Sequence, residues 1–254
     1  MFKTFDGLMR AALALFFPAR CAACDQLLDE ESAIFCATCA LSLEPIVSAC
    51  PRCALPWPQP LERPPPCLAC LMRPPRVEAA FAPYEFGGAI AHALRRLKWA
   101  AMPELARPLG RLLAEGLARA GPGFGDIDVV VAVPLHPRRL RSREFNQAAL
   151  LAEVMAATLA ARERSPRVLR VDPSALVRLR DTPPQTGLGR AQRRCNVQGA
   201  FGVPRWARDR VRDKRVLLVD DVLTTGATAD ACAAALCEGG AAAVLVLTLG
   251  RAMT

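Results

Sequence analysis

The stretch Val216-Leu217-Leu218-Val219-Asp220-Asp221-Val222-Leu223-Thr224-Thr225-Gly226-Ala227-Thr228 decides how this chain of 254 residues folds. Four consecutive apolar residues before a turn signal read as a strand buried on both faces, the pattern of a parallel sheet. The alanine-rich residues 227–236 that follow read as a helix. The intervening turn therefore lies at a strand's carboxyl end, where open α/β sheets bind ligands. Thr224, Thr225 and Thr228 supply hydroxyls. Gly226 lets the backbone approach a ligand closely, with amides facing outward at a helix start. An anion suits such a place. Asp220 and Asp221 repel a bare phosphate, so their natural partners are sugar hydroxyls, a hard cation such as magnesium, or both.

Strand and helix patterns alternate outward from this run. Residues 79–84 read as a strand, 88–99 and 103–120 as helices, 128–133 as a second apolar strand, and 146–163 as a long helix. Residues 175–179 and 243–249 join 216–219 to complete an expected sheet of about five strands. The alternation predicts an α/β domain, a parallel sheet flanked by helices, over residues 77–254.

A second constellation leaves the carboxyl end of the 129–133 strand and should lie beside the first. Within Pro134-Leu135-His136-Pro137-Arg138-Arg139-Leu140-Arg141-Ser142-Arg143, the guanidinium forks of Arg138, Arg139 and Arg143 match pyrophosphate oxygens. The plainer alternative is a solvated basic loop ahead of a helix capped by Asn146. His136 reads as a loop hydrogen-bonding residue, with a general base as the alternative. Residues 178–196 are polar, basic and turn-rich, which fits either a mobile lid or a solvated crossover.

The cysteines divide the chain. Eight of the 11 precede residue 71, as the Cys-x-x-Cys pairs Cys21/Cys24, Cys36/Cys39, Cys50/Cys53 and Cys67/Cys70. Each such knuckle points two thiolates at one ion, and two knuckles complete a tetrahedral zinc site, so four supply two sites. Sequence neighbours close the shorter loops, which favours Cys21/Cys24/Cys36/Cys39 and Cys50/Cys53/Cys67/Cys70 as two ribbons. An interleaved pairing stays open. A disulfide framework is the competing reading. Cys195, Cys232 and Cys237 have no evident partners and speak for a reducing, cytoplasmic setting. Residues 1–20 read as a short amphipathic helix against this module, and no run reaches membrane length. The stiff Arg73-Pro74-Pro75-Arg76 then ends an N-terminal unit over residues 1–76.

The 216–228 run resembles the phosphoribosyl pyrophosphate (PRPP) signature of type I phosphoribosyltransferases at every position. The resemblance implies that the acidic pair contacts ribose hydroxyls, with magnesium carried by PRPP. It also implies that Thr224, Thr225, Gly226, Ala227 and Thr228 wrap the 5′-phosphate. The whole chain resembles the ComF family. The cysteine module, Arg95-Arg96-Leu97-Lys98, the Val-Pro-Leu-His-Pro-Arg-Arg loop with Phe145-Asn146-Gln147, Arg180-Asp181-Thr182, Gln185-Thr186, Arg193-Arg194 and Asn196 carry that resemblance. It implies a double zinc ribbon fused to a phosphoribosyltransferase-like domain, with a role in natural competence, where single-stranded DNA enters the cytoplasm. One departure is Glu144, where the family usually has glycine.

At 52% hydrophobic and 22% charged residues, the composition is that of a folded globular chain rather than a disordered one. Residues 1–78 hold 7 Lys or Arg against 8 Asp or Glu, a net of −1, so of the overall +9 the remainder carries +10. That excess suits nucleic acid, although few aromatic residues are available to stack on bases. Three functions fit: a PRPP-binding factor acting on single-stranded DNA with the DNA-uptake machinery, an active phosphoribosyltransferase with an unassigned acceptor, or a non-catalytic PRPP sensor.

Overall fold

The computed structural model describes residues 18–30, 33–162, 169–183 and 189–253. Among these residues seven strands appear in chain order: β1 (Ala79–Phe81), β2 (Tyr84–Glu85), β3 (Val129–Ala132), β4 (Val177–Arg178), β5 (Phe201–Gly202), β6 (Arg215–Leu223) and β7 (Ala243–Arg251). Six helices matter below: α1 (Gly88–Trp99), α2 (Ala106–Arg119), α3 (Pro137–Arg143), α4 (Gln147–Arg162), α5 (Arg190–Val197) and α6 (Ala227–Glu238).

The long strands β6 and β7 pair in parallel along their length, from Arg215↔Ala243 to Leu223↔Arg251. On the far side of β6 lies β3, with Val131 opposite Leu218, and Val171 adds a parallel bridge to Val130. On the far side of β7 lie β1 and β2, both parallel. The single strand expected over 79–84 is thus split, and Pro83, which has no N–H to donate, sits in the gap. The sheet order β1-β7-β6-β3 places β6 inside the sheet, covered on both faces.

Period-2 alternation sorts β6 between two cores. Leu217 and Val219 pack with Leu109, Leu113, Leu151 and Met155 of α2 and α4. Val216 and Leu218 pack with Cys232 and Leu236 of α6. Gly110 allows α2 and α4 to approach, since a Cβ there would lie 2.5 Å from Val154 Cβ.

Three expectations change. Residues 175–179 do not join the main sheet. After Asp172-Pro173 the chain turns away, with Ser174 N–H and Oγ donating to Asp172 Oδ1, and β4 pairs antiparallel with β5 in a separate two-stranded sheet. The 137–143 stretch is a helix rather than a loop, because Pro137 has the backbone angle and missing N–H that suit a first helical position. The helix read over 103–120 begins as the 3-10 turn Pro103–Leu105 before α2. The expected N-terminal helix falls almost wholly on residues outside those described.

The cysteine module docks on the α/β unit at several points. Arg96 of α1 donates to Cys21 O (2.9 Å), Ala22 O (3.1 Å) and Asp25 Oδ1 (2.5 Å). Arg251, at the end of β7, donates through Nε to Cys53 O at 2.7 Å. Arg76 N–H donates to Asp230 Oδ1 of α6 at 2.5 Å.

Candidate functional site

Strand β6 runs past its apolar core and carries Asp220 and Asp221 in its last residues. Thr224 and Thr225 follow in a turn, and Gly226 starts α6 at φ +80°, a left-handed conformation that favours glycine. A Cβ built on Gly226 meets nothing within 4 Å, so the turn faces open space. Ala227 and Thr228 form the first turn of α6, where the helix dipole favours an anion.

The acidic pair is asymmetric. Asp221 is buried and accepts from Lys98 Nζ at 3.1 Å. Burial opposes its charge, but Lys98 and a hydrogen bond from Asp220 hold its carboxyl below the usual range. Asp220 is pushed well up by burial, reinforced by the charge of Asp221 beside it. Two adjacent carboxylates are the type of oxygen donor that a hard cation such as magnesium takes.

The basic segment after β3 lies alongside, as the parallel β3–β6 pairing requires. Pro134 and Leu135 lead into His136, which caps α3 by accepting from Arg138 N–H at 3.4 Å. His136 Nδ1 also lies 3.8 Å from Asp181 Oδ1. The histidine is therefore a hydrogen-bonding residue in this arrangement. Arg138 pairs with Asp181 at 3.5 Å, and Arg139 donates to Thr182 O at 2.6 Å. Both arginines thus tie α3 to the 178–183 segment. Arg143 differs, with its guanidinium 4.7 Å from the centre of the Trp99 ring. Burial lowers its pKa while the charge of Asp221 works the other way, which places it in the field of the acidic pair. Asn146 caps α4, accepting from Ala148 N–H and donating to Val133 O, both at 3.0 Å, so α4 is fastened to the end of β3.

Residues 184–188 of the third segment, including Gln185 and Thr186, lie outside those described. The flanking parts hold Arg178 of β4, which pairs with β5, and α5, whose Asn196 donates to Pro183 O at 3.0 Å.

The cysteines form two clusters, Cys21/Cys24/Cys36/Cys39 and Cys50/Cys53/Cys67/Cys70, with the sulfurs of each set within 4.8 Å of one another. Sequence neighbours therefore pair, and the interleaved alternative is excluded. Within the second cluster a hydrogen bond from Cys53 pulls Cys50 down to about 4, while burial pushes Cys70 up to about 12. Four adjacent thiols cannot all ionise without a cation to balance them, and zinc supplies that balance.

Residues 12–71 match the family of double zinc ribbon domains. The DNA utilization protein YhgH of Salmonella typhimurium is 32% identical over 241 residues, covering 94% of this chain and 100% of that protein. This chain belongs to the ComF/YhgH family. YhgH of Escherichia coli K12 is 31% identical, covering 86% of this chain and 90% of its own length. Competence protein F of Haemophilus influenzae is 32% identical over 125 residues, covering 49% of this chain and 51% of that protein. The cysteine geometry and the domain match together give this ComF/YhgH chain two structural zinc sites.

Three site residues escaped the sequence reading as ligand-site residues. Lys98 lies 123 positions from Asp221, and the sequence marked it only as part of the Arg95-Arg96-Leu97-Lys98 motif, with nothing to tie it to the acidic pair. Arg178 is buried, donates to Thr182 Oγ1 at 2.5 Å and lies 5.4 Å from the Phe201 ring centre. Its Nε has no hydrogen-bond partner among the described residues. Arg251 follows an apolar strand and looks like an ordinary terminal charge, yet its Nη1 reaches Leu223 O, at the start of the threonine turn, at 3.2 Å.

Proposed function

We propose that this ComF/YhgH chain binds magnesium-PRPP at the carboxyl end of β6 and links that binding to the handling of single-stranded DNA in the cytoplasm. The observation that carries the reading is the acidic pair on β6 followed directly by a glycine-opened turn at the start of α6. Thr224, Thr225, Gly226, Ala227 and Thr228 take the 5′-phosphate through amides and hydroxyls. Asp220 and Asp221 accept the ribose hydroxyls and bear on the magnesium. Lys98 keeps Asp221 ionised for that task. Arg143, in the field of the pair, is the first of the loop arginines to meet the pyrophosphate. Bound magnesium would offset part of the pyrophosphate charge. The names of the relatives, a DNA utilization protein and a competence protein, supply the DNA side of the reading.

Calorimetric titration of magnesium-PRPP into zinc-loaded protein, with and without a single-stranded oligonucleotide at fixed salt, tests both parts. PRPP affinity that shifts with DNA is expected, since coupled sites change one another's affinity reciprocally. Binding indifferent to DNA would instead favour a transferase or a sensor, and release of pyrophosphate on adding candidate acceptors would separate those two. No binding in either cell would remove the phosphoribosyl reading.

A further inference from the structure

A cleft of about 120 Å³ opens where the second zinc ribbon meets the threonine turn. Its apolar surface comes from Leu55 of the ribbon, Val77, Leu223 and Val246, while Thr225 and Gly226 form the side toward the PRPP turn. Arginines surround it. Arg52 lies inside the Cys50/Cys53 knuckle, Arg73 follows Cys70, and Arg194 comes from α5 on another part of the chain. All three are exposed, and their guanidiniums make no hydrogen bond or ion pair among the described residues. The other charged groups of the cleft are engaged: Asp230 accepts from Arg76 N–H, Arg251 donates to Cys53 O, and Cys53, Cys67 and Cys70 belong to the second zinc site. The ribbon as a whole is not basic, so two arginines converging here with a third from α5 concentrate positive charge at one place. The space exceeds what one water needs and admits a flat ring.

An apolar floor ringed by uncommitted guanidiniums suits a group that is planar and apolar in the middle and anionic at its edges. Guanidinium stacks on bases and grips phosphate in a fork, so a few arginines serve where aromatic platforms are scarce. We propose that this cleft is a nucleotide subsite for single-stranded DNA, seating one base over the apolar floor with neighbouring phosphodiesters on Arg52, Arg73 and Arg194. Three arginines on the rim exceed what the single phosphate of a free nucleotide would engage, which favours a strand. The inference rests on the DNA reading above and adds the place. It also puts the strand against the PRPP turn, so the two ligands share the wall formed by Thr225, Gly226 and Ala227.

The test is fluorescence anisotropy of labelled oligothymidylate with zinc-loaded protein over a range of salt. Wild type is compared with an Arg52→Gln/Arg73→Gln/Arg194→Gln variant and with the corresponding lysine triple. Each arginine withdrawn from a phosphate should flatten the slope of log affinity against log salt by about 0.7, so the glutamine triple should lose about 2. Its affinity at fixed salt should fall at least about tenfold, while the lysine triple keeps most of the slope. All three residues are exposed, and an unchanged unfolding midpoint with two bound zinc ions per chain confirms that the triple variants are folded. If wild type binds DNA and the glutamine triple binds with the same slope, the cleft assignment falls and the DNA reading stands. If wild type does not bind DNA, both fall. Thymidine monophosphate competing as well as the oligonucleotide, at equal nucleotide concentration, would replace the strand with a mononucleotide and overturn the proposal.

Discussion

Glu144 closes α3 in the left-handed conformation, at φ +66°, where a Cβ crowds the backbone and glycine does not. This explains physically why the ComF pattern has glycine at that point. The helix keeps its shape with glutamate, and the cost is conformational. Glu144→Gly should therefore stabilise the protein by about 0.5–1 kcal/mol, seen as a higher denaturant midpoint with an unchanged slope. A lower midpoint would mean that Glu144 makes a compensating interaction. At Asp221 the expected effect is on binding. Asp221→Asn keeps the shape of the side chain but removes the charge that pairs with Lys98 at 3.1 Å and that faces the ligand. PRPP affinity should fall by at least about tenfold, equivalent to about 1.4 kcal/mol, while the unfolding free energy changes by less than that amount. Equal affinity in calorimetry would remove Asp221 from the site.

At the scale of elements, what could be read from sequence and what could not have separate physical causes. The 216–228 run fixed a strand, a turn and a helix because burial on both faces, the turn residues and the alanine-rich stretch agree with one another. The eight cysteines fixed two ribbons because short loops close most readily. By contrast, Ala175-Leu176-Val177 reads like any short buried strand, and nothing in its pattern tells that it leaves the sheet. That departure depends on Asp172, which is buried, accepts from Ser174 and pairs with Arg210 at 3.2 Å. Burial alone would raise its pKa, but the Ser174 and Arg210 interactions outweigh it and hold the carboxyl below its usual value. The sign follows: this stabilisation is fully present above the ordinary carboxylate pKa and is lost as pH falls through the folded value. Asp172→Asn should cost about 1–3 kcal/mol at neutral pH. The stability gap between variant and wild type should narrow on acidification below the ordinary carboxylate range, because protonation removes from wild type the charge that the variant already lacks. A gap that stays constant with pH would show that the charge of Asp172 contributes nothing.

Across the whole molecule, each zinc ribbon is fastened to a different half of the candidate ligand site. The first ribbon offers Cys21 O and Ala22 O to Arg96, two residues before the Lys98 that pairs with Asp221, both at the end of α1. The second offers Cys53 O to Arg251, whose other nitrogen holds Leu223 O just ahead of the threonine turn. None of this coupling is visible in sequence, because Cys53 and Arg251 are 198 positions apart and meet only when β7 brings its end beside the ribbon. A ribbon that loses its metal loses the fold that presents these carbonyls, because the knuckles contribute little core of their own. Selective loss of one site should therefore be felt at one half of the ligand site. Cys53→Ser is expected to release one zinc and raise amide hydrogen exchange over residues 223–228, while Cys24→Ser is expected to raise it over the end of α1. Arg251→Met with both metals bound should reproduce the first effect in part, since it leaves Cys53 O without its donor, at a cost of about 1–3 kcal/mol, and leaves Leu223 O with the Ala252 N–H alone. Hydrogen exchange followed by mass spectrometry reads these segments without any ligand present. If Cys53→Ser releases its metal and the 223–228 amides stay as protected as in wild type, the second ribbon is only tethered to the α/β unit, and Arg251 carries nothing from zinc to the turn.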